Sequence, residues 1–82
     1  MTVLEIIRTF ISENLIKDHN LSINENVQLI EDGYLTSLQT IELVMFLEDR
    51  FQFEIDPELV NEENFRTLGS IAELVQSRTE VR

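Results

Sequence analysis

The amino-acid sequence predicts a small all-α bundle with three longer helices and one or two short turns. Apolar residues recur at three- and four-residue spacing in three segments, which is the period of a helix that buries one face. Two of these segments open with a capping box, Thr2 with Glu5 and Thr36 with Gln39. No β-branched alternation, hairpin dipeptide or internal repeat is present. The 82 residues, 43% of them hydrophobic, are enough for one domain with one core.

The first two helices and the loop between them follow from these patterns. The first helix is predicted from about Thr2 to Ile16, and the second from Thr36 to about Phe51. Residues 17–35 show no clean period and contain scattered Asn, Asp, Glu and Ser, so we expect a loop. A loop of that length in a small domain is usually functional or contains an unrecognised element. The apolar residues expected to hold it against the core are Val27, Leu29, Ile30 and Leu35.

The C-terminal part of the chain is predicted to contain short turns and a last helix. Pro57 follows an aspartate, which suits the first position of a short helical turn, and a second turn is expected near Asn61. Thr67 is expected to cap the last helix. We therefore expect a single domain over residues 1–77, followed by a frayed polar tail at residues 78–82.

The charge of the chain is strongly negative and unevenly distributed. The formal net charge is −10, and no Lys or Arg occurs between Asp18 and Asp49, although that stretch contains seven carboxylates. Such a field repels nucleic acids and anionic membranes, and it attracts basic protein surfaces. The alternative interpretation is that the negative charge serves only to keep the protein soluble.

Several classes of protein are disfavoured by what the sequence lacks. The chain has no Cys, so disulfides, thiolate metal sites and thiol nucleophiles are excluded. No apolar run approaches the roughly 18 residues of a membrane span, and the N-terminus has no basic flank typical of a secretory signal. We therefore expect a cytoplasmic protein, and the start at Met1, one residue before the first cap, favours a free-standing domain.

The second helix is predicted to be apolar on two faces. At about 100° per residue, its side chains separate into two opposite groups. The first group is Leu43, Val44, Phe46, Leu47 and Phe51. The second is Ser37, Leu38, Ile41 and Met45, interleaved with Glu42, Glu48 and Asp49. We call Leu38, Ile41, Glu42, Met45, Glu48 and Asp49 the acidic strip. An exposed apolar surface rimmed by charge favours a docking site, and the alternative is a central helix buried all round with its acids reaching solvent.

Ser37 has an unusual position at the start of this helix. A serine there is ordinarily an N-cap, but Thr36 and Gln39 already form the cap, so Ser37 becomes the first helical residue. Its hydroxyl is then expected to be exposed beside unpaired backbone N–H groups, which favour an anion such as a phosphodiester. No general base is evident nearby, so the residue does not suit a self-activating nucleophile.

These residues resemble the acyl and peptidyl carrier proteins, which carry 4′-phosphopantetheine on the serine of a Gly-x-Asp-Ser-Leu-type motif. The motif and its lead-in resemble residues 31–38. The likeness continues over residues 42–44, 47–51, 53–57 and 64–71. It implies a four-helix bundle in which Ser37 accepts the arm from coenzyme A and the chain itself catalyses nothing.

The resemblance also implies partners. They are a phosphopantetheinyl transferase, an acyl- or aminoacyl-loading enzyme and downstream synthase enzymes, all with basic patches that contact the acidic strip. We expect neither a nucleic acid nor a membrane among the partners, and we expect a monomer. Residues 64–68 look more like carriers of polyketide or nonribosomal peptide pathways than those of fatty acid synthesis.

Thr36 departs from the family pattern, which normally has Asp at that position. Threonine keeps the capping role and loses a negative charge. If the transferase reads that carboxylate, we expect modification of this chain to be slower or to need a dedicated enzyme. Three alternatives stay open: a carrier for fatty acid synthesis, a carrier relative that has lost modification, and an unmodified acidic adaptor that binds a basic partner through the acidic strip. A small enzyme is disfavoured because no nucleophile with its base is evident.

Overall fold

The fold is known from a computed structural model that describes residues 2–16 and 23–79. Helix α1 spans Val3–Phe10 and continues into a π-helical turn, Ile11–Leu15. Helix α2 spans Ser37–Phe51, a 3₁₀ turn follows at Pro57–Leu59, and helix α3 spans Leu68–Thr79. No strand occurs in the described residues, and the all-α prediction is confirmed.

Helix α1 begins as its capping box predicts. The Glu5 N–H donates to Thr2 Oγ1 at 3.1 Å, and the Thr2 N–H donates to Glu5 Oε1 at 3.1 Å. The helix ends in a wider turn than expected, because the Ile16 N–H donates to the Ile11 carbonyl at 2.8 Å, five residues back. The extent predicted for the first helix is therefore right, and its last turn is π-helical.

The described part of the long loop, residues 23–35, is fixed to the rest of the molecule by its backbone. The Leu29 N–H donates to the Arg66 carbonyl at 2.7 Å, and the Leu29 carbonyl accepts from Tyr34 and Leu35 at 2.8 and 3.0 Å. Gly33 turns this segment with φ +86°, a conformation that suits glycine. Leu29 and Leu35 are buried, and Val27 and Ile30 are partly buried against the core, as predicted. The remainder of the predicted loop, residues 17–22, lies outside the described residues.

The core lies where the three helices and the loop meet. Phe10 at the C-terminal end of α1 stacks on Phe46 of α2 with ring centroids 4.0 Å apart, so the two helices contact each other through these rings. The completely buried side chains include Ile7, Ile11, Leu29, Leu43, Leu47, Phe65, Leu68, Ile71 and Val75. This small apolar core holds α2 in place and leaves one of its faces in solvent.

The C-terminal elements follow the prediction closely. The second expected turn is closed by the Phe65 N–H, which donates to the Asn61 carbonyl at 3.1 Å. Thr67 caps α3, because its Oγ1 accepts from the Ser70 N–H at 3.1 Å. Helix α3 continues to Thr79 and so includes the first two residues of the expected polar tail, while residues 80–82 lie outside the described residues. In the part of the chain that the structure describes, no helix has the length and apolarity needed to cross a membrane.

Candidate functional site

We call the cap and first turn of α2, residues 36–40, the mouth of α2. A reciprocal cap holds it in place. Thr36 has an extended backbone (φ −86°, ψ 173°), and its Oγ1 accepts from the Gln39 N–H at 3.2 Å. The Gln39 side chain returns the bond, since its Oε1 accepts from the Thr36 N–H at 3.0 Å. The Thr36 carbonyl accepts from the Thr40 N–H at 2.9 Å, which is the first hydrogen bond of the helix. Ser37 is therefore the first helical residue, as predicted.

The Ser37 side chain is exposed, and its hydroxyl makes no hydrogen bond to any residue that the structure describes. The backbone N–H groups of Ser37 and Leu38 also lack partners among those residues, since the cap satisfies Gln39 and the helix satisfies Thr40. Unpaired N–H groups at the positive end of a helix attract an anion. A phosphodiester on the Ser37 oxygen would lie within this favourable field.

A cleft of about 290 Å³ lies beside Ser37. Its walls are the loop before α2, the first turn of α2 and the segment after the 3₁₀ turn. The lining residues are Ile30, Leu35, Thr36, Ser37, Thr40, Ile41, Val60, Asn61 and Glu62. The sequence did not predict this cleft, and it gave no reason to place residues 60–62 near Ser37. The serine therefore faces both solvent and a partly apolar recess.

The acidic strip lies at the surface of α2. Leu38, Ile41 and Met45 are 67%, 53% and 58% exposed, although each is a large apolar side chain. Glu42 and Asp49 are exposed beside them, and the opposite face buries Leu43 and Leu47 completely. Both faces of α2 therefore lie where the helical period predicts them. The alternative of a helix buried all round is excluded.

Glu48 differs from the other members of the acidic strip. It is half-buried, and its Oε2 accepts from the Ile55 N–H at 2.9 Å. This bond ties the segment that leaves α2 back to the helix. One oxygen of Glu48 is thus engaged within the chain, which the surface position predicted for it did not reveal.

Replacing Thr36 by alanine is expected to destabilise the fold by about 1 kcal/mol, because the Gln39 N–H loses its acceptor at the mouth of α2. Urea unfolding followed by circular dichroism measures the change. Thr36→Ser and Thr36→Asp keep an acceptor and are the matched controls, expected within about 0.5 kcal/mol of wild type. An alanine variant as stable as the wild type would show that the cap contributes nothing.

Comparisons with known proteins agree with this geometry. The family model described as "Phosphopantetheine attachment site" matches residues 2–75. The acyl carrier protein of Chlamydia caviae is 35% identical over 78 residues, which cover 95% of this chain and 97% of that protein. The acyl carrier protein of Phenylobacterium zucineum is 33% identical over 76 residues, covering 93% and 92%.

A solved structure also has this fold. It is a chain from a crystal structure described as that of an FAD-dependent dehydrogenase, with a TM-score of 0.76 and 25% sequence identity. The match covers 84% of this chain and 97% of that chain. Together with the family model and the curated relatives, it agrees with a small helical carrier fold. The chain therefore belongs to the acyl carrier protein family, whose members carry a phosphopantetheine arm and catalyse no reaction themselves.

Proposed function

We propose that Ser37 is the residue to which the phosphopantetheine arm is attached. The observation that carries the proposal is the exposed hydroxyl at the first position of α2, which has no hydrogen-bond partner in residues 2–16 and 23–79 because Thr36 forms the cap. In the attachment step the Ser37 oxygen attacks the phosphate of coenzyme A that bears pantetheine. The phosphoanhydride bond breaks, adenosine 3′,5′-bisphosphate leaves, and the hydroxyl proton passes to a base of the transferase or to solvent.

The chain itself supplies position and an electrostatic setting for the arm. The N–H groups of Ser37 and Leu38 favour the phosphodiester, and the rigid helix start holds its point of attachment. When bound, the arm supplies a thiol that holds an acyl or aminoacyl group as a thioester. The tether keeps that group at high effective concentration near any enzyme that docks on the carrier.

The attachment site is tested by mass spectrometry. Wild-type protein, coenzyme A and a broad-specificity transferase are expected to give a mass increase of one arm. Trypsin then releases residues 18–50, and fragment ions are expected to place the arm on Ser37 and on neither Thr36 nor Thr40. An arm on another residue would overturn the assignment. No mass gain with several transferases would favour the unmodified adaptor instead.

We also propose that the acidic strip docks the transferase and the enzymes that load and use the carrier. Three exposed apolar side chains surrounded by carboxylates suit a partner with an apolar contact inside a basic patch. Exposed charge pairs of this kind are screened by salt, so docking is expected to weaken as ionic strength rises. Glu48 contributes less to this surface than Glu42 or Asp49, because it also binds the Ile55 N–H.

For the pathway, we propose a polyketide or nonribosomal peptide type. The support is residues 64–68, whose sequence is similar to carriers of those pathways and which lead into α3, with Phe65 and Leu68 buried. The structural likeness to a chain from an FAD-dependent dehydrogenase structure adds an oxidising flavoenzyme to the partners worth testing. The pathway is tested by isolating the protein from its own cells, releasing its cargo and identifying that cargo by mass. A series of saturated fatty acyl groups would identify a fatty acid carrier and overturn this pathway.

A further inference from the structure

We propose that Gln39 is a positioning residue for arm attachment, because it fixes the mouth of α2 to the end of the first helix. The proposal rests on Ser37 as the attachment site. Gln39 makes three hydrogen bonds at once. Its N–H and Oε1 form the cap with Thr36, and its Nε2 donates to the Leu15 carbonyl at 3.0 Å. One side chain therefore joins the cap that frees Ser37 to a residue 24 positions earlier in the chain.

The Leu15 carbonyl lies at the end of the π-helical turn. The last carbonyls of any helix lack partners within that helix and need a hydrogen-bond donor from elsewhere. Here the Ile16 N–H bonds to the Ile11 carbonyl, and the Leu15 carbonyl accepts the Gln39 amide. π-helical turns occur often at functional sites. This one ends beside the residue that holds the start of α2.

The hydrogen bond from Gln39 to Leu15 links α2 to the π-helical turn that follows α1. Within residues 2–16 and 23–79, it is the only hydrogen bond that links α1 or its π-helical turn to α2. The other contact described above is the apolar stack of Phe10 on Phe46. Apolar contacts are non-directional, whereas a hydrogen bond sets both distance and angle. The Gln39 bond therefore fixes where the mouth of α2 lies.

Gln39 acts on Ser37 from a distance. The two residues are two positions apart, so their side chains point to different sides of the helix. Gln39 is half-buried, while Ser37 is exposed with the acidic strip. A transferase docked on the strip would contact Ser37 directly and Gln39 not at all. Breaking the Leu15 bond lets the mouth of α2 adopt other positions, and the apparent affinity falls with the fraction of competent molecules.

Two variants of Gln39 test the proposal. Gln39→Glu keeps an acceptor for the Thr36 N–H and loses the donor to Leu15, while Gln39→Met loses both without adding charge. The matched controls are Gln52→Glu and Gln52→Met at the other end of α2, where the Gln52 amide donates to the Asp49 carbonyl. They make the same chemical changes far from Ser37.

Steady-state arm transfer is measured for each variant at a temperature where circular dichroism shows it fully folded. Both Gln39 variants lose the hydrogen bond to Leu15, and this shared loss is expected to raise the KM for the carrier about fivefold, with kcat within about twofold of wild type. The Gln52 variants are expected to behave as wild type. Amide hydrogen exchange of the unmodified protein should accelerate at residues 39–40 and at Ile16 in the Gln39 variants, and remain unchanged at core amides.

The results distinguish a failure of Ser37 as the attachment site from a failure of Gln39 as a positioning residue. A wild-type chain that takes up no arm, or takes it up elsewhere, refutes the attachment site at Ser37. A wild-type chain modified at Ser37, with Gln39 variants of unchanged KM, overturns the positioning role alone. A raised KM for Gln39→Glu but not for Gln39→Met would reflect the added charge and would also overturn it. Unchanged amide hydrogen exchange at Ile16 and in the first turn of α2 would also overturn the positioning role of Gln39.

Discussion

Ser37→Ala is expected to take up no phosphopantetheine under conditions that modify the wild-type chain completely. Alanine lacks the oxygen that forms the phosphodiester, and no neighbouring group can replace it in the same position. The fold is expected to stay intact, because Ser37 is exposed, its hydroxyl has no partner among the described residues, and Thr36 forms the cap. Intact mass gives the modification, and urea unfolding is expected to agree with wild type within about 0.5 kcal/mol.

Ser77→Ala is the matched control for this experiment. Ser77 is an exposed serine on α3, and its hydroxyl donates only to the Leu74 carbonyl of its own helix. This variant is expected to gain one arm at the wild-type rate. A mass increase in Ser37→Ala would instead show that another hydroxyl accepts the arm, and the function proposed for the mouth of α2 would be refuted.

The sequence predicted that Ser37 is the first residue of α2, because the cap that precedes it involves only neighbouring residues. The capping box uses residues three positions apart, so Thr36 and Gln39 are sufficient to indicate where α2 begins. The two faces of α2 follow equally well, since the helical period assigns every residue to a side. The exposed Leu38, Ile41 and Met45 confirm that assignment.

The features that the sequence did not reveal depend on distant parts of the chain. The bond from Gln39 to the Leu15 carbonyl joins two helical segments, and the capping box accounts for the oxygen of Gln39 but not for its nitrogen. The π-helical turn has no clear local signature. Glu48 is correctly placed near the surface, yet its long side chain reaches the Ile55 N–H of the segment that leaves α2. Such contacts exist only once the chain has folded.

Met45→Arg is expected to reduce kcat/KM for arm transfer about thirtyfold, or about 2 kcal/mol, with no loss of stability. Met45 is 58% exposed, so the fold does not depend on it. The substitution removes an apolar contact from the acidic strip and places a positive charge against the proposed basic patch of the partner. Met45 lies eight residues from Ser37, about 12 Å along the helix, so the chemistry at Ser37 is not disturbed directly.

Two further variants separate the loss of the apolar contact from the effect of the added charge in Met45→Arg. Met45→Ser removes the apolar contact without adding charge, and Gln76→Arg adds the same charge at an exposed position on α3. Added salt screens charge repulsion but not the loss of apolar contact, so the defect of Met45→Arg is expected to shrink in salt toward that of Met45→Ser. Gln76→Arg is expected to be modified as wild type. If Met45→Arg were modified at the wild-type rate, the transferase would not dock on the acidic strip, because docking there cannot tolerate a cation at its centre.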